Sequence, residues 1–398
     1  VLPDSVLSRY AHPDLRWAAA HMPLLHATVA RVAPALSGLR LGMCLHIEPK
    51  TAVLAVLLQE AGVRIRLTGS PGTTRPDVVE ALLALGVEVT SGPDDDAPHV
   101  GEVLDLEPDL LLDNGADLTL GLLERGVPSH FRGGTEETTT GGRLLREATT
   151  AGGTSPGRRS RTTVTFPVVV INDSRLKQLV ENRFGVGQSV VQGFQQATNR
   201  MIPGARAVVV GYGPCGRGVA GTLRSLGARV SVAETDPYRR LEAVLEGHAV
   251  GPLGDLLPGA DLVFLATGHP GVLGADEVDR LADGAVLAGV GHRADEVSLP
   301  LLGAVSARGG GRQTLHHREY VRPDGRRTVV LAETRMINLV AGGGNPIEAM
   351  DLGLSLQAAS LAAVATGGLD AGVQPVPTAL DRQIAEDFTA RLTLGASS

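Results

Sequence analysis

Lysine, cysteine and aromatic residues are scarce in this chain of 398 residues. Aromatics make up 3% of the sequence, too few for the stacking platforms that hold single-stranded nucleic acid. A net charge of −7, spread along the chain, also argues against nucleic acid as a partner. The two cysteines, Cys44 and Cys215, are far apart and have no metal-ligand spacing, so no metal site is expected. They read as two buried thiols in a reducing compartment. No apolar run reaches the roughly 18 residues of a membrane span. The first residues, VLPDSVLSRYAHPDLRW, lack the basic-then-apolar order of a secretory signal, so a cytoplasmic location without membrane association is expected. Of 36 basic residues, only Lys50 and Lys177 are lysines; the rest are arginine. Burial can move the pKa of a lysine into the range of a base, which arginine does not allow, so both lysines are suspects for chemistry.

The composition is otherwise that of a folded protein, with 43% apolar and 20% charged residues. The length predicts two to three domains. Residues 40–54 read as a strand running into a helix, and 61–67 with 75–86 as a second such unit. LEPDLLLDN at 106–114 is a short apolar run ending at a turn signal. AGGTSPGRRSR at 151–161 has no apolar face and reads as an exposed loop. PVVVIND predicts a further strand, and 174–200 a long helical stretch. Alternating strands and helices imply a parallel sheet.

Residues 205–237 carry a sharper pattern. An apolar strand at Ala207–Val210 leads into Gly211-Tyr212-Gly213-Pro214-Cys215-Gly216. A helix follows, then a strand at Val230–Ala233 that ends at Glu234. This is the dinucleotide fingerprint in the context it requires. Gly211 makes the turn, Gly213 admits the pyrophosphate, and Gly216 lets helix and strand pack. The helix N-terminus offers amides and a positive dipole end to phosphate. Glu234 is placed to bind the ribose 2′-OH and to repel a 2′-phosphate, which selects NAD over NADP. Strands at 262–267, 285–291 and 328–333 complete a second half.

Several segments together resemble the S-adenosylhomocysteine hydrolase family along nearly the whole chain. They are CLHIEPKTAVL (44–54), GGTEETTTGG (133–142), NDSRLKQLVENRFG (172–185), GYGPCGRG (211–218), AETDP (233–237), GVGHRADEV (289–297) and LAETRMINL (331–339). The resemblance implies an α/β fold of two doubly wound parallel-sheet domains, one a Rossmann NAD-binding domain, joined by hinge segments. It implies a substrate-binding domain over 1–180, completed by 345–385, an NAD-binding domain over 181–344, and a short tail over 386–398. It also implies a redox-neutral cycle: a nucleoside 3′-OH is oxidised to a ketone, the C4′ proton becomes acidic, the 5′ substituent leaves, water adds, and the ketone is reduced again.

By the same resemblance, Lys177 stands beside the 3′-OH and Glu137, with Glu136 as its neighbour, binds the sugar hydroxyls. His46 and His292 flank the 5′ position. Thr138, Thr139, Thr140, Asn182, Gly291 and Asn338 join the fingerprint residues, Cys215 among them, around NAD. Asp113 and Asn114 fall on an acidic element of the acid–base cluster. Glu181 and Asn345 fall on polar positions near the substrate, and Glu48 and Lys50 at the base end. The departures are specific. The family's aspartate is Asn114, an amide that does not accept a proton at neutral pH. Another of its aspartates is Glu181, a cysteine is Val186, and a histidine is Asn345. A family C-terminal tail that reaches a neighbouring subunit has no counterpart in RLTLGASS, although a homo-oligomer, dimer or tetramer, is still expected.

Three readings follow. The first is a nucleoside dehydratase or hydratase acting at C4′–C5′, of the kind needed for nucleoside antibiotics. The second is S-adenosylhomocysteine hydrolysis itself. The third, of another class, is an NAD-binding regulatory protein without catalysis.

Overall fold

Proline opens six of the α-helices, and four of these follow directly on a strand. The helices Pro13–Ala20, Pro23–Leu36, Pro49–Glu60, Pro76–Ala84, Pro214–Ser225 and Pro237–Leu245 all carry it at the first turn. There its fixed φ suits the helix and its missing N–H leaves no bond unmade. The computed structural model describes residues 7–70, 72–92, 95, 97–150, 163–292, 294–305, 316–322 and 324–394. The segment 151–161, expected to be a loop, lies outside them.

The chain divides into two compact units. One comprises Val1–Lys177 and Ile347–Ser398, the other Gln178–Pro346. The first is built on β1 (Arg40–Leu45), β2 (Arg64–Gly69), β3 (Glu88–Val89), β4 (Leu110–Asp113), β5 (Gly133–Glu136) and β6 (Pro167–Val170), with the strand Gly372–Pro375 at one edge. All are parallel, in the order Gly372–Pro375, β6, β5, β4, β1, β2, β3. The order reverses at β1, which has β2 on one side and β4 on the other. In open parallel sheets the crevice beyond the carboxyl ends at such a reversal is where ligands bind.

The second unit holds β7 (Arg206–Val210), β8 (Arg229–Ala233), β9 (Ala249–Val250), β10 (Leu262–Leu265), β11 (Ala285–Gly289), β12 (Ala304–Val305), β13 (His317–Val321) and β14 (Arg327–Met336). The order is β12-β13-β14-β11-β10-β7-β8-β9, parallel except at β13. Along β7, Ala207 and Val209 pack into one core while Val208 and Val210 pack into another. A parallel sheet covered on both faces needs such continuous apolar strands. Here too the order reverses, at β7 between β8 and β10.

Two features depart from expectation. The stretch predicted as one long helix contains a π segment, Gln178–Gly185, between Arg175–Lys177 and Val186–Thr198. Residues 386–394 do not form a separate tail. They continue the helix Thr378–Leu394, whose Ile384 and Phe388 are buried, so apolar spacing carries the helix past 385. The helix Ile347–Thr366 is long and apolar enough to cross a membrane by length and composition, yet most of it is buried inside the protein.

Candidate functional site

In the first unit several of the expected site residues gather at the carboxyl ends of the strands. His46 follows β1 by one residue and Asn114 follows β4 by one residue, so both stand at the reversal point. Asn114 Nδ2 lies 3.2 Å from His46 Nε2 and 3.0 Å from Ser70 Oγ. His46 Nδ1 lies 2.7 Å from Thr73 Oγ1, which donates to the Ser70 carbonyl at 2.9 Å. Asn114 is fully buried, and its Oδ1 has no hydrogen-bond partner.

Behind this pair lies a knot of carboxyls. Asp113, fully buried, accepts from the amides of Asn114 (3.0 Å), Leu118 (3.3 Å) and Thr119 (2.7 Å). Glu136, also fully buried, accepts from the amides of Gly115, Ala116 and Thr138 and from the Thr138 hydroxyl. Burial, then the charge of Asp113, pushes Glu136 up to about 8; burial also raises Asp113 itself. Burial, then Asp113, raises Asp117 to about 6. These groups hold the 113–119 turn and so aim Asn114. Asp113, expected among the catalytic residues, commits its carboxylate oxygens to the amides of its own turn. Glu136 was expected only as a motif neighbour. Strand alternation explains the difference: Glu136 ends β5 facing inward, and the following Glu137 turns away.

Glu137 meets Lys177, whose ammonium is buried on the short helix after β6. Its other carboxylate oxygen accepts from Gln357 Nε2, on the helix Ile347–Thr366. The sequence reading missed Gln357. Its one signal was a lone amide in an apolar stretch. Glu48 and Lys50 form a buried ion pair, Oε2 to Nζ 2.7 Å. Glu48 also accepts from the amides of Lys50 and Thr51, both at 3.2 Å, and so caps the helix Pro49–Glu60. Its carboxylate is therefore committed to the helix start, in addition to any role at the base end. Thr138 accepts from the Gly141 amide, Thr139 is exposed and receives a bond from Asn172, and Thr140 lies in the same first helical turn.

In the second unit the fingerprint turn is shaped as a cradle. Gly211 has φ +94°, and a Cβ on Gly216 would lie 2.0 Å from the Gly211 carbonyl. Gly213, the N-cap of the helix Pro214–Ser225, is open: a Cβ there would approach only Arg239 Nη1, at 3.7 Å. Cys215 sits in the first turn of that helix, half-buried rather than buried as expected, because helix N-termini at such a cradle face outward. Cys44 is buried, which pushes its thiol well up. Glu234, just past β8, accepts from the amides of Tyr212 (2.7 Å), Thr235 (2.6 Å) and Asp236 (2.9 Å). Burial opposes its charge, and these amides outweigh burial, leaving the carboxyl below its usual range.

Asn338, Asn345, Ser189 and Glu181 form one polar network. Asn338 Nδ2 donates to Ser189 Oγ (3.2 Å) and Asn345 Oδ1 (3.3 Å), Ser189 donates to Asn345 Oδ1 (3.0 Å), and Asn345 Nδ2 donates to Glu181 Oε1 (3.3 Å). Asn338 Oδ1 is buried without a partner. Asn182 is buried in the π segment, and Val186 starts the next helix as part of the core. Gly291 and half-buried His292 follow β11. Glu296, which the sequence reading missed, accepts from the Thr267 amide and hydroxyl and the Gly268 amide, and so shapes the loop after β10.

These residues fit a dinucleotide. The cradle leaves the Gly213 side open to phosphate, the carboxylate of Glu234 closes the adjoining strand, and the orphaned Asn338 Oδ1 is an acceptor suited to a carboxamide N–H.

Residues 182–344 match the model of the S-adenosyl-L-homocysteine hydrolase NAD binding domain, and the cofactor is NAD. The S-inosyl-L-homocysteine hydrolase of Methanopyrus kandleri is 38% identical over 96% of this chain and 91% of its own length. The adenosylhomocysteinase of Thermotoga maritima is 38% identical over 86% of this chain and 84% of its own. That of Aeropyrum pernix is 36% identical over 98% and 93%. With identity of this level along almost the full length of each relative, the chain belongs to the S-adenosylhomocysteine hydrolase family.

Proposed function

We propose that this NAD-dependent enzyme eliminates or adds water across C4′–C5′ of a nucleoside, with no net redox change. The observation that carries the reading is Asn114 beside His46, where the family resemblance implies an aspartate. NAD, when bound, supplies reversible two-electron oxidation at C3′, making the ketone that opens the cycle and restoring the alcohol that closes it. The other steps fall to this chain. Glu137 orients the sugar diol, and Lys177, once its ammonium has given up a proton, takes the 3′-OH proton as the neutral amine. The ketone acidifies C4′–H. A base, His46 or a Lys177 that has first passed on the 3′-OH proton, removes the C4′ proton; the C–H electron pair becomes the C4′=C5′ bond as the C5′–O bond breaks. The departing hydroxide gains a proton from His292, or from His46 once it has taken the C4′ proton, and leaves as water. Hydration is the reverse.

A second reading is hydrolysis of the thioether of a nucleosidyl homocysteine. The 38% identity to an S-inosyl-L-homocysteine hydrolase along 91% of its length favours it. One experiment separates the two. The enzyme is incubated in D₂O with a panel of 5′-hydroxy nucleosides and with S-adenosyl- and S-inosylhomocysteine. Deuterium at C4′ or loss of water in the former, with little turnover of the thioethers, is expected. Fast release of homocysteine overturns the proposal.

A further inference from the structure

Two hydrogen bonds to the ring nitrogens of His46 bear on its tautomer. Thr73 has one hydroxyl proton, and it goes to the Ser70 carbonyl at 2.9 Å. Thr73 Oγ1 therefore meets His46 Nδ1, 2.7 Å away, as an acceptor, and the ring proton sits on Nδ1. In a neutral imidazole that leaves Nε2 with its lone pair. Nε2 in turn faces Asn114 at 3.2 Å, so the group presented there is the amide N–H₂, whose second proton reaches Ser70 Oγ at 3.0 Å. Every bond in the chain from the Ser70 carbonyl to Asn114 then has one direction. The chain ends on Asn114 Oδ1, a fully buried acceptor with no donor. Leaving such an atom unmet is costly, and a ligand that supplies a donor recovers that cost.

We infer that Asn114 is a positioning residue that holds His46 as a neutral imidazole protonated on Nδ1, and that its Oδ1 receives the O–H of the substrate's 5′-hydroxyl. The 5′ assignment rests on the reading given under Proposed function; the state of His46 does not. An aspartate at 114 reverses the polarity. A carboxylate has no proton to give Nε2, so it draws a proton onto Nε2 and makes the ring an imidazolium, with Nδ1–H still on Thr73. The chemistry of the 5′ substituent follows. A hydroxyl carries a donor for Oδ1, whereas a thioether sulfur is at best a weak acceptor and leaves Oδ1 unmet. Asn114 thus selects a 5′-hydroxyl over a 5′-thioether through one hydrogen bond.

The test uses NAD-loaded enzyme with histidine ring nitrogens labelled with ¹⁵N, and His46→Gln to assign the signal. The expected result at neutral pH is an unprotonated Nε2 and a protonated Nδ1 at His46. In Asn114→Asp both nitrogens should be protonated. In Thr73→Val, which removes the acceptor for Nδ1–H, the two tautomers should mix. Binding is then measured for a 5′-hydroxy nucleoside and its 5′-deoxy analogue. The wild type should prefer the hydroxyl by about 10–100-fold, and Asn114→Ala should lose that preference. A protonated Nε2 in the wild type, or a preference that survives in Asn114→Ala, overturns the inference. Enzyme that shows this ring state and this preference, yet removes or adds no water on any nucleoside, refutes the proposed reaction and upholds the role of Asn114.

Discussion

The ammonium of Lys177 and the carboxylate of Glu137 are joined in a buried ion pair, Lys177 from the short helix Arg175–Lys177 after β6 and Glu137 from one residue past β5. Neighbouring strands bring them together, and Gln357 completes the group from the helix Ile347–Thr366. An ion pair in so dry a place is held for its geometry, because removing one partner leaves the other charge buried and uncompensated.

Lys177→Ala should therefore abolish reduction of the bound nicotinamide on substrate addition while NAD stays bound. The fingerprint lies in the other unit, and Lys50 is committed to Glu48 in a separate pair. Lys177→Arg should not rescue, because arginine stays protonated and cannot serve as a base. Absorbance of reduced nicotinamide after substrate addition, with NAD content measured separately, checks both. Reduction at the normal rate in either variant would remove Lys177 from the 3′ position.

Gln357→Leu keeps the shape of the helix and removes one donor from Glu137. The carboxylate then lacks its second anchor, and kcat/KM should fall about 10–100-fold. Bound NAD should be unchanged. A variant with normal kcat/KM would mean that Gln357 only fills space.

The fingerprint was legible in the sequence because its glycines answer to backbone distances. The 2.0 Å approach that a Cβ on Gly216 would make to Gly211 has no side-chain solution. The strands β1, β4, β7 and β10 were legible because apolar runs end at turn residues. Other parts were not. Glu136 and Glu137 are neighbours of one type, and only the pleat shows that one enters the 113–119 turn while the other meets Lys177. Asp351 and Gln357 sit in a helix that reads as plain core, and their partners are more than 200 residues away. The π segment Gln178–Gly185 shares its composition with the helices on either side. The direction of the bonds around His46 depends on Thr73 and Ser70, from a loop that carried no motif.

The purified protein should release NAD(H), in near-stoichiometric amount, when denatured. Gly216→Ala should reduce that content to a small fraction, because the added methyl forces the turn and the helix start apart. Release of NADP in place of NAD would contradict the part assigned to Glu234. Replacing Asn338 by alanine should loosen the cofactor less, since it removes a single buried acceptor, worth about 1–3 kcal/mol. The check is NAD retained after gel filtration.

Stability should fall as pH rises from about 4 toward 7, and Asp351 should account for part of the slope. Its carboxylate, on the helix Ile347–Thr366, accepts from the amides of Leu24 (3.1 Å) and Leu25 (2.7 Å), capping the helix Pro23–Leu36 from 327 positions away in the chain. Burial dominates and raises its pKa from 3.8 to about 7, against the pull of those amides. In the unfolded chain the group ionises near its ordinary value. Between the two values the native state binds the proton and the unfolded state has lost it, so each rise in pH favours unfolding. The contribution is whole below pH 3.8 and is spent once pH passes about 7. Glu136, raised to about 8, acts with the same sign over a window that reaches higher. Asp351→Asn should flatten the fall in Tm between pH 4 and 7. It should also lower Tm at all pH values, because its amide nitrogen faces a backbone N–H that the carboxylate accepted, at a cost of about 1–3 kcal/mol. Thermal melts of both proteins across that range are the measurement. Parallel curves would show that Asp351 ionises in the native protein as it does in the unfolded chain.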